Sequence, residues 1–241
     1  MNSESRFWAV IPAAGVGSRM QADRPKQYLP LAGATVIQHT LGIFLRHPGV
    51  SGVAVAIGAG DPYFHRLDIT AEKPLKVVDG GSERCHSVLN ALRGLAALAE
   101  PQDWVLVHDA ARPCLSERDL EALMETLRDD PVGGILATPV RDTKKRAGPD
   151  GRIAATVDRA QLWRAFTPQM FRLSALEEAL ERALKEGFLV TDEASAMEHA
   201  GLAPRLVEGS TENIKITRPE DLSLAEFYLA RRRAPQTEHT T

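Results

Sequence analysis

At 241 residues the chain has room for one large domain, or for one domain with an appendage. An apolar fraction of 44% supplies a core, and a net charge of -3 argues against extended contact with DNA or RNA while leaving room for a local basic site for a small anion. Two cysteines, Cys85 and Cys114, fit neither a zinc pattern nor a disulfide framework, and no apolar run approaches the ~18 residues of a membrane span, so a reducing compartment with no signal peptide is expected.

The first predicted element is a buried strand over 7–11, the apolar run Phe7, Trp8, Ala9, Val10 and Ile11. It leads into 12–27, PAAGVGSRMQADRPKQ, where small residues are followed by two isolated cations, Arg19 and Lys26. Small residues after a strand let the backbone approach a ligand with its N–H groups turned outward. A phosphate chain needs such donors with positive charge beside them. The stretch reads as a nucleotide-triphosphate loop clamped by Arg19 and Lys26. A dinucleotide fingerprint is incomplete, because Met20 stands where G-x-G-x-x-G needs its third glycine, and no Walker A Gly-Lys-Ser/Thr occurs. The plain alternative is a strand-to-helix turn with two solvated cations.

Apolar positions 36, 37, 41, 44 and 45 put a helix over 35–46, stopped by His47-Pro48-Gly49. A strand follows over 50–57, a short helix over 61–67, and a third strand over 75–78 that runs into Asp79-Gly80-Gly81-Ser82. Positions 88, 89, 92, 95 and 98 mark a helix over 84–99, and 104–107 is a fourth strand ending in His108-Asp109. Ser116 and Asp119 have capping-box spacing at the start of a helix over 116–128, and 134–138 is a fifth strand. Strands alternating with helices imply βαβ units and a mostly parallel sheet, with ligands outside the carboxyl ends of the strands. The loops 13–26, 58–61, 80–84 and 109–113 should converge there on one crevice.

The alternation breaks at 139–157. The basic run from Arg141 to Arg146, the turn Gly148-Pro149-Asp150-Gly151 and the stretch 153–157 predict a long β-hairpin reaching out of the sheet. With little apolar surface of its own, it is expected to pack on a second subunit. Its basic run reads as a solvated face or as a site. The remainder is expected to be helical with one further strand. A helix over 174–186 is capped by Ser174 with Glu177, and another starts at Thr191-Asp192-Glu193 and ends near Gly201. A strand at 206–207 and an extended stretch at 213–217 precede a last helix, opened by Thr217-Arg218-Pro219-Glu220 with Glu220 closing a capping box. The polar tail 233–241 is expected to fray.

Eight strings occur in order along the chain: PAAGVGSRM, RPKQYLPL, VVDGGSERCHSV, VLVHDAARP, PVRDTKKR, TVDRAQLWRAFTPQMF, TDEASAME and ENIKITRPEDL. From about Val10 to Tyr228 the sequence closely resembles the 2-C-methyl-D-erythritol 4-phosphate cytidylyltransferase family of the non-mevalonate isoprenoid pathway. The resemblance implies an α/β fold, a Rossmann-like, mostly parallel sheet flanked by helices. It makes 1–138 and 163–232 a single nucleotidyltransferase domain and 139–162 a protruding β-arm that embraces the partner of a homodimer. It implies a cytoplasmic enzyme that joins CTP to 2-C-methyl-D-erythritol 4-phosphate with release of pyrophosphate, using a divalent cation, usually Mg2+.

On the matching positions, the resemblance assigns Arg19 and Lys26 to the triphosphate. Arg159 and Lys215 grip the methylerythritol phosphate, with Arg159, just past the arm, placed to serve the partner subunit's site. The plain alternative for Arg159 is a salt bridge with Asp158. Thr143, Arg112, Thr167 and Thr191 stand around the substrate, Thr191 also reading as a helix cap. Asp109 becomes a substrate-proximal acid and magnesium ligand, with Ala110 beside it. Ala13, Ala14 and Gly15 offer backbone N–H groups, and Pro12 lies near the nucleotide. Gly81, Ser82 and Ser87 form the cytosine and ribose pocket, Ser82 standing where some members carry an acid. His108 is expected to be structural, and Cys85 and Cys114 to be packing residues. Two rivals remain: a cytidylyltransferase for another polyol phosphate such as ribitol 5-phosphate, and a non-catalytic nucleotide-binding regulator.

Overall fold

The computed structural model of the protein describes residues 5–15 and 23–233; Arg19 and the tail from 234 onward lie outside them. In chain order the elements are β1 (Phe7–Pro12), a 3-10 turn at Lys26–Tyr28, β2 (Pro30–Leu31), β3 (Ala34–Thr35), α1 (Val36–Arg46) and β4 (Val50–Ile57). Next come a 3-10 turn at Phe64–Arg66, β5 (Leu75–Asp79), α2 (Arg84–Gly94), β6 (Trp104–Val107), α3 (Glu117–Leu127) and β7 (Gly133–Pro139). The chain closes with β8 (Lys144–Ala147), β9 (Ile153–Val157), β10 (Trp163–Arg172), α4 (Leu173–Lys185), α5 (Glu193–His199), β11 (Arg205–Glu208) and α6 (Glu220–Arg233).

Seven strands form the main sheet in the order β11-β7-β10-β6-β1-β4-β5. Every pairing is parallel except those of β10, which runs antiparallel to both β6 and β7. The expected mostly parallel sheet is therefore present. Its central strands β1, β4 and β6 are buried almost throughout, because helices cover both faces. Alternation along β1 divides its side chains between two cores. Ala9 and Ile11 join Ile37, Leu41 and Phe44 of α1 and Leu120, Leu123 and Leu127 of α3. Trp8 and Val10 join Val88 and Leu92 of α2, Leu176 and Leu180 of α4, and Met197 of α5. Among the described residues, no helix is long and apolar enough to cross a membrane.

Several local expectations change. The sequence reading has no strand at β10, yet β10 sits in the middle of the sheet. Its run contains Pro168, which cannot donate to a ladder, and the structure accommodates it in a register shift between Ala165 and Gln169. The helix expected to reach Ala99 ends at Gly94. Ser174 is not a cap: Arg172 occupies the N-cap of α4 and makes no side-chain capping bond. Asp192, not Thr191, caps α5, in a reciprocal box with Ser195. At the last helix the Asp221 carboxylate, not Glu220, accepts from the N–H groups of Thr217 and Arg218. Ser116 caps α3 through the Asp119 N–H, but the Asp119 carboxylate accepts from the Ser210 N–H instead of closing the box. The predicted hairpin is present as β8 and β9, an antiparallel pair separate from the main sheet.

The amino ends of β1 and β6 are tied by one acid. Asp103 is buried and accepts from the Arg6 N–H and Nε, Trp8 Nε1 and the Glu100 N–H, at 2.9–3.1 Å. Burial alone would raise its pKa, but these donors and the Arg6 charge hold it below the ordinary carboxylate value. Its stabilisation is thus present above the unfolded pKa of about 4 and is lost as pH falls through the lowered folded value. Asp103→Ala should lower the unfolding free energy by about 3 kcal/mol at pH 7, because it strands buried donors. Urea unfolding of both proteins at pH 7 and at about pH 3 checks this: the gap should narrow at the lower pH.

Candidate active site

The carboxyl ends of β1, β5 and β6 open onto one cleft. It is lined by Pro12, Ala13, Ala14 and Gly15 of the first loop, Gly81, Ser82, Glu83, Arg84 and Ser87 around the start of α2, Asp109, Ala110 and Ala111 after β6, and Lys26, Gln27 and Lys215. The loops meet because their residues are small. A Cβ on Gly80 would lie 2.4 Å from the Ala14 Cβ, and one on Gly81 would lie 2.2 Å from the His86 Cβ. The Gly80 N–H donates to Ile57 O at 2.6 Å, pinning the second loop to the end of β4.

The first loop is held by Gln27, a buried side chain whose Nε2 donates to the carbonyls of Ala13 and Gly15 at 2.7 and 3.1 Å. This places the neighbouring Lys26, whose Nζ donates to Ile216 O at 2.7 Å. The Ala13 N–H is committed to Ala56 O, 2.7 Å away, so Ala13 is not the phosphate donor that the resemblance suggested. Ala14 and Gly15 keep that role available. Gly81 N–H donates to Ser87 Oγ at 3.1 Å, and that hydroxyl donates to Glu83 O. Ser82 is exposed, with its Oγ 3.2 Å from His86 Nδ1.

Asp109 is the centre of the charge arrangement. It is buried, and its carboxylate accepts from Arg84 Nε at 3.0 Å, Arg112 Nε at 3.2 Å and Lys215 Nζ at 2.9 Å. Burial pushes its pKa up, but the charges of Arg84, Lys215 and Arg112 outweigh this and hold the carboxyl well below the carboxylate range. Arg84 in turn is gripped by Glu193, which is 0% exposed in its side chain, through bonds of 2.6 and 3.0 Å. Arg112 Nη1 donates to Asn213 O at 2.7 Å, and Asn213 Nδ2 donates to Thr167 O at 2.8 Å. The Ile216 N–H donates to Ala111 O, which fixes Lys215 against the loop after β6.

Behind the carboxylate, the Thr167 hydroxyl accepts from the Asp109 N–H and faces His108 Nδ1, both at 3.0 Å. His108 Nε2 lies 3.0 Å from Arg112 O and carries the ring proton. Burial lowers the His108 pKa to about 4, so the ring is neutral at physiological pH and serves as scaffold. Both Asp109 oxygens face cations, and Asp109 belongs to no group of acids, cysteines and histidines close enough to hold an ion among the described residues. That donor set does not fit a magnesium ligand.

Among the expected site residues, Lys26 and Lys215 thus share the cleft with Pro12, Ala13, Ala14, Gly15, Gly81, Ser82, Ser87, Asp109 and Ala110. Arg112 and Thr167 lie behind it, buried and hydrogen-bonded to the same framework. Arg159 and Thr143 lie at the base of the hairpin, both exposed, 3.5 Å apart from Nη1 to Oγ1, and line no part of the cleft. Asp158 accepts from the Ala160 N–H. Thr191 is exposed, its N–H donating to Ser195 Oγ. Arg84, Glu193 and Gln27 were not anticipated. Arg84 and Glu193 lie 109 residues apart, and each reads in sequence only as a helix start.

A mostly parallel α/β sheet with a small-residue loop and a cluster of cations at its carboxyl edge defines a nucleotide-phosphate-binding protein. The sequence profile described as IspD, 2-C-methyl-D-erythritol 4-phosphate cytidylyltransferase, matches residues 7–231. The chain belongs to this family. It is 58% identical over 228 residues to the 2-C-methyl-D-erythritol 4-phosphate cytidylyltransferase of Pseudomonas fluorescens, covering 94% of this chain and 97% of that protein. It is similar to a crystal structure of 4-diphosphocytidyl-2C-methyl-D-erythritol synthase, with a TM-score of 0.83 and 38% identity, over 94% of this chain and 100% of that one. The Francisella tularensis enzyme gives a TM-score of 0.79 and 38% identity over 93% and 100% of the two chains.

Glu193→Ala leaves the Arg84 guanidinium with Asp109 as its one acid. Breaking a buried pair from one side should cost about 3 kcal/mol, the low end for such pairs, because Arg84 keeps part of its surface in solvent. Thermal melts check this against exposed Glu198→Ala, which should stay within about 0.5 kcal/mol of wild type.

Proposed function

We infer that the protein transfers a cytidylyl group from CTP to 2-C-methyl-D-erythritol 4-phosphate, releasing pyrophosphate. Family membership over residues 7–231 supports this, and the observation that carries it is the meeting of Lys26 and Lys215 beside the Ala14-Gly15 backbone in one cleft. An oxygen of the acceptor phosphate attacks the α-phosphorus of CTP; a new P–O bond forms as the bond to the bridging oxygen of pyrophosphate breaks. No protein nucleophile is required. The obstacle is repulsion between two polyanions, so the protein acts by positioning them and neutralising charge. Lys26 faces the triphosphate; Arg19, assigned to the same role by sequence, lies outside the described residues. Lys215, aimed by Asp109, keeps further N–H donors for the acceptor phosphate. Gly81, Ser82 and Ser87 border the base and ribose. Mg2+ belongs in this reading to the phosphates of the nucleotide, which offer the oxygen ligands that Asp109 does not.

The assay is pyrophosphate release with each nucleoside triphosphate and with either methylerythritol phosphate or ribitol 5-phosphate. CTP with the methylerythritol phosphate should be the preferred pair. Lys26→Ala should lower turnover at least about a hundredfold while the protein stays folded, as expected for a donor aimed at developing charge. Near-normal turnover in that variant, or preference for ribitol 5-phosphate, would overturn the assignment.

The homodimer belongs to the same proposal. Thr143 and Arg159, exposed at the base of the hairpin, line no part of the cleft of their own chain, which supports their serving a partner's site, in a cytoplasmic enzyme with two free thiols. Lys26→Ala and Arg159→Ala should each be nearly inactive. After unfolding and refolding together they should regain roughly a quarter of wild-type turnover, since mixed dimers keep one intact site. No recovery would place all four cations in one chain.

A further inference from the structure

The start of α2 carries chemistry that cytidylyl transfer does not use. Glu83, Cys85 and His86 each offer one ligand atom, and the three atoms lie within 4.8 Å of one another. Glu83 stands at the N-cap but makes no capping bond to the helix; its carboxylate lies 3.9 Å from Cys85 Sγ. Arg84, between them in sequence, points its guanidinium to Asp109 and Glu193 and so does not neutralise the Glu83 carboxylate. The thiol is buried, His86 half-buried and Glu83 exposed, which gives a sulfur floor under an open rim.

We propose that Glu83, Cys85 and His86 form a binding site for a thiophilic divalent cation of the zinc class at the edge of the nucleotide cleft. A sulfur, a nitrogen and an oxygen suit zinc and disfavour magnesium, which takes oxygen ligands alone. Tetrahedral zinc would hold such atoms about 3.5 Å apart, a closure of about 1 Å by side chains at a helix start. Binding releases the thiol proton to solvent, and the thiolate and carboxylate then match the two charges of the ion. Three protein ligands leave a fourth position for water. Glu83 also lines the cleft, and His86 is bonded to the Ser82 hydroxyl, so an occupied site opposes nucleotide binding. This consequence rests on reading the cleft as the CTP pocket.

Cobalt(II) serves as the spectroscopic probe. Titrating the full-length protein should give a thiolate-to-cobalt charge-transfer band that zinc removes. The band should vanish in Cys85→Ala, weaken in His86→Ala and survive in Cys114→Ala, the other buried thiol. No band, or a band that survives Cys85→Ala, overturns the site. Zinc should inhibit magnesium-supported pyrophosphate release by the wild type at least about tenfold more strongly than by Cys85→Ala, whose turnover without zinc should be unchanged. Equal zinc sensitivity overturns the opposition to nucleotide. Absence of turnover in metal-free wild type supplied with magnesium would count against the cytidylyl-transfer reading alone and leave the spectral result standing.

Discussion

The ionised Asp109 carboxylate is the constraint on which the site depends. A lone buried carboxylate is costly, and it is kept here because Arg84, Arg112 and Lys215 surround it. The dependence runs both ways. Three cations brought together without Asp109 and Glu193 would repel one another, and the loops that carry them would separate. Two acids against three bases leave the cluster with one surplus positive charge; Lys26 in the same cleft adds another, which the Glu83 carboxylate on its rim offsets, so one surplus positive charge remains. A chain with net charge -3 thereby presents a positive spot where a triphosphate needs one.

The cations are aimed by their apolar neighbours as much as by their partners. A small third cluster holds Leu29, Leu31, Val36, Ala111, Cys114, Ile216 and Ala225. Ile216 follows Lys215 directly, Ala111 precedes Arg112, and Leu29 lies just beyond Lys26. Burying a side chain such as Ile216 or Leu31 contributes roughly 1.5–3 kcal/mol, more than one exposed hydrogen bond returns. The cluster therefore sets where the flexible lysine stems begin, and the bonds to Ile216 O and Asp109 set only where they end. It also explains how α6, at the far end of the chain, reaches the site: Ala225 and Ile216 share that cluster.

What the sequence made legible follows from the range of the interactions. Continuous apolar runs reported β1, β4 and β6 because burial on both faces leaves a local composition signal. β10 lacked one, since Pro168 and the register shift break its run where tertiary pairing on both sides overrides local preference. The cap of α5 was misassigned because Thr191 and Asp192 both stand in reach and spacing does not say which one turns toward the helix, and that of α4 because Arg172 takes the position with no side-chain bond. The cleft was foreseen as a convergence of four loops; those after β1, β5 and β6 meet there, while 58–61 after β4 lines no part of it. Its wiring was not foreseen, because Arg84, Asp109 and Glu193 carry no pattern linking them; only the fold brings them together. The Ala13 N–H is the opposite lesson: the family resemblance marked it as a donor, and the sheet had already taken it.

The hairpin shows why one chain's cleft does not use every basic residue the sequence offered. An isolated two-stranded ribbon is marginal in water, and β8 and β9 lie in a sheet of their own. They are anchored at the root by the Trp163–Pro139 pairing and by the Val140 N–H bond to Leu162 O. Beyond that root β8 is exposed throughout, and Ile153 on β9 is 69% exposed. A bare apolar side chain on a marginal ribbon is stabilised by whatever covers it. Thr143 and Arg159 sit at that root, so whatever covers the ribbon also decides what stands opposite them.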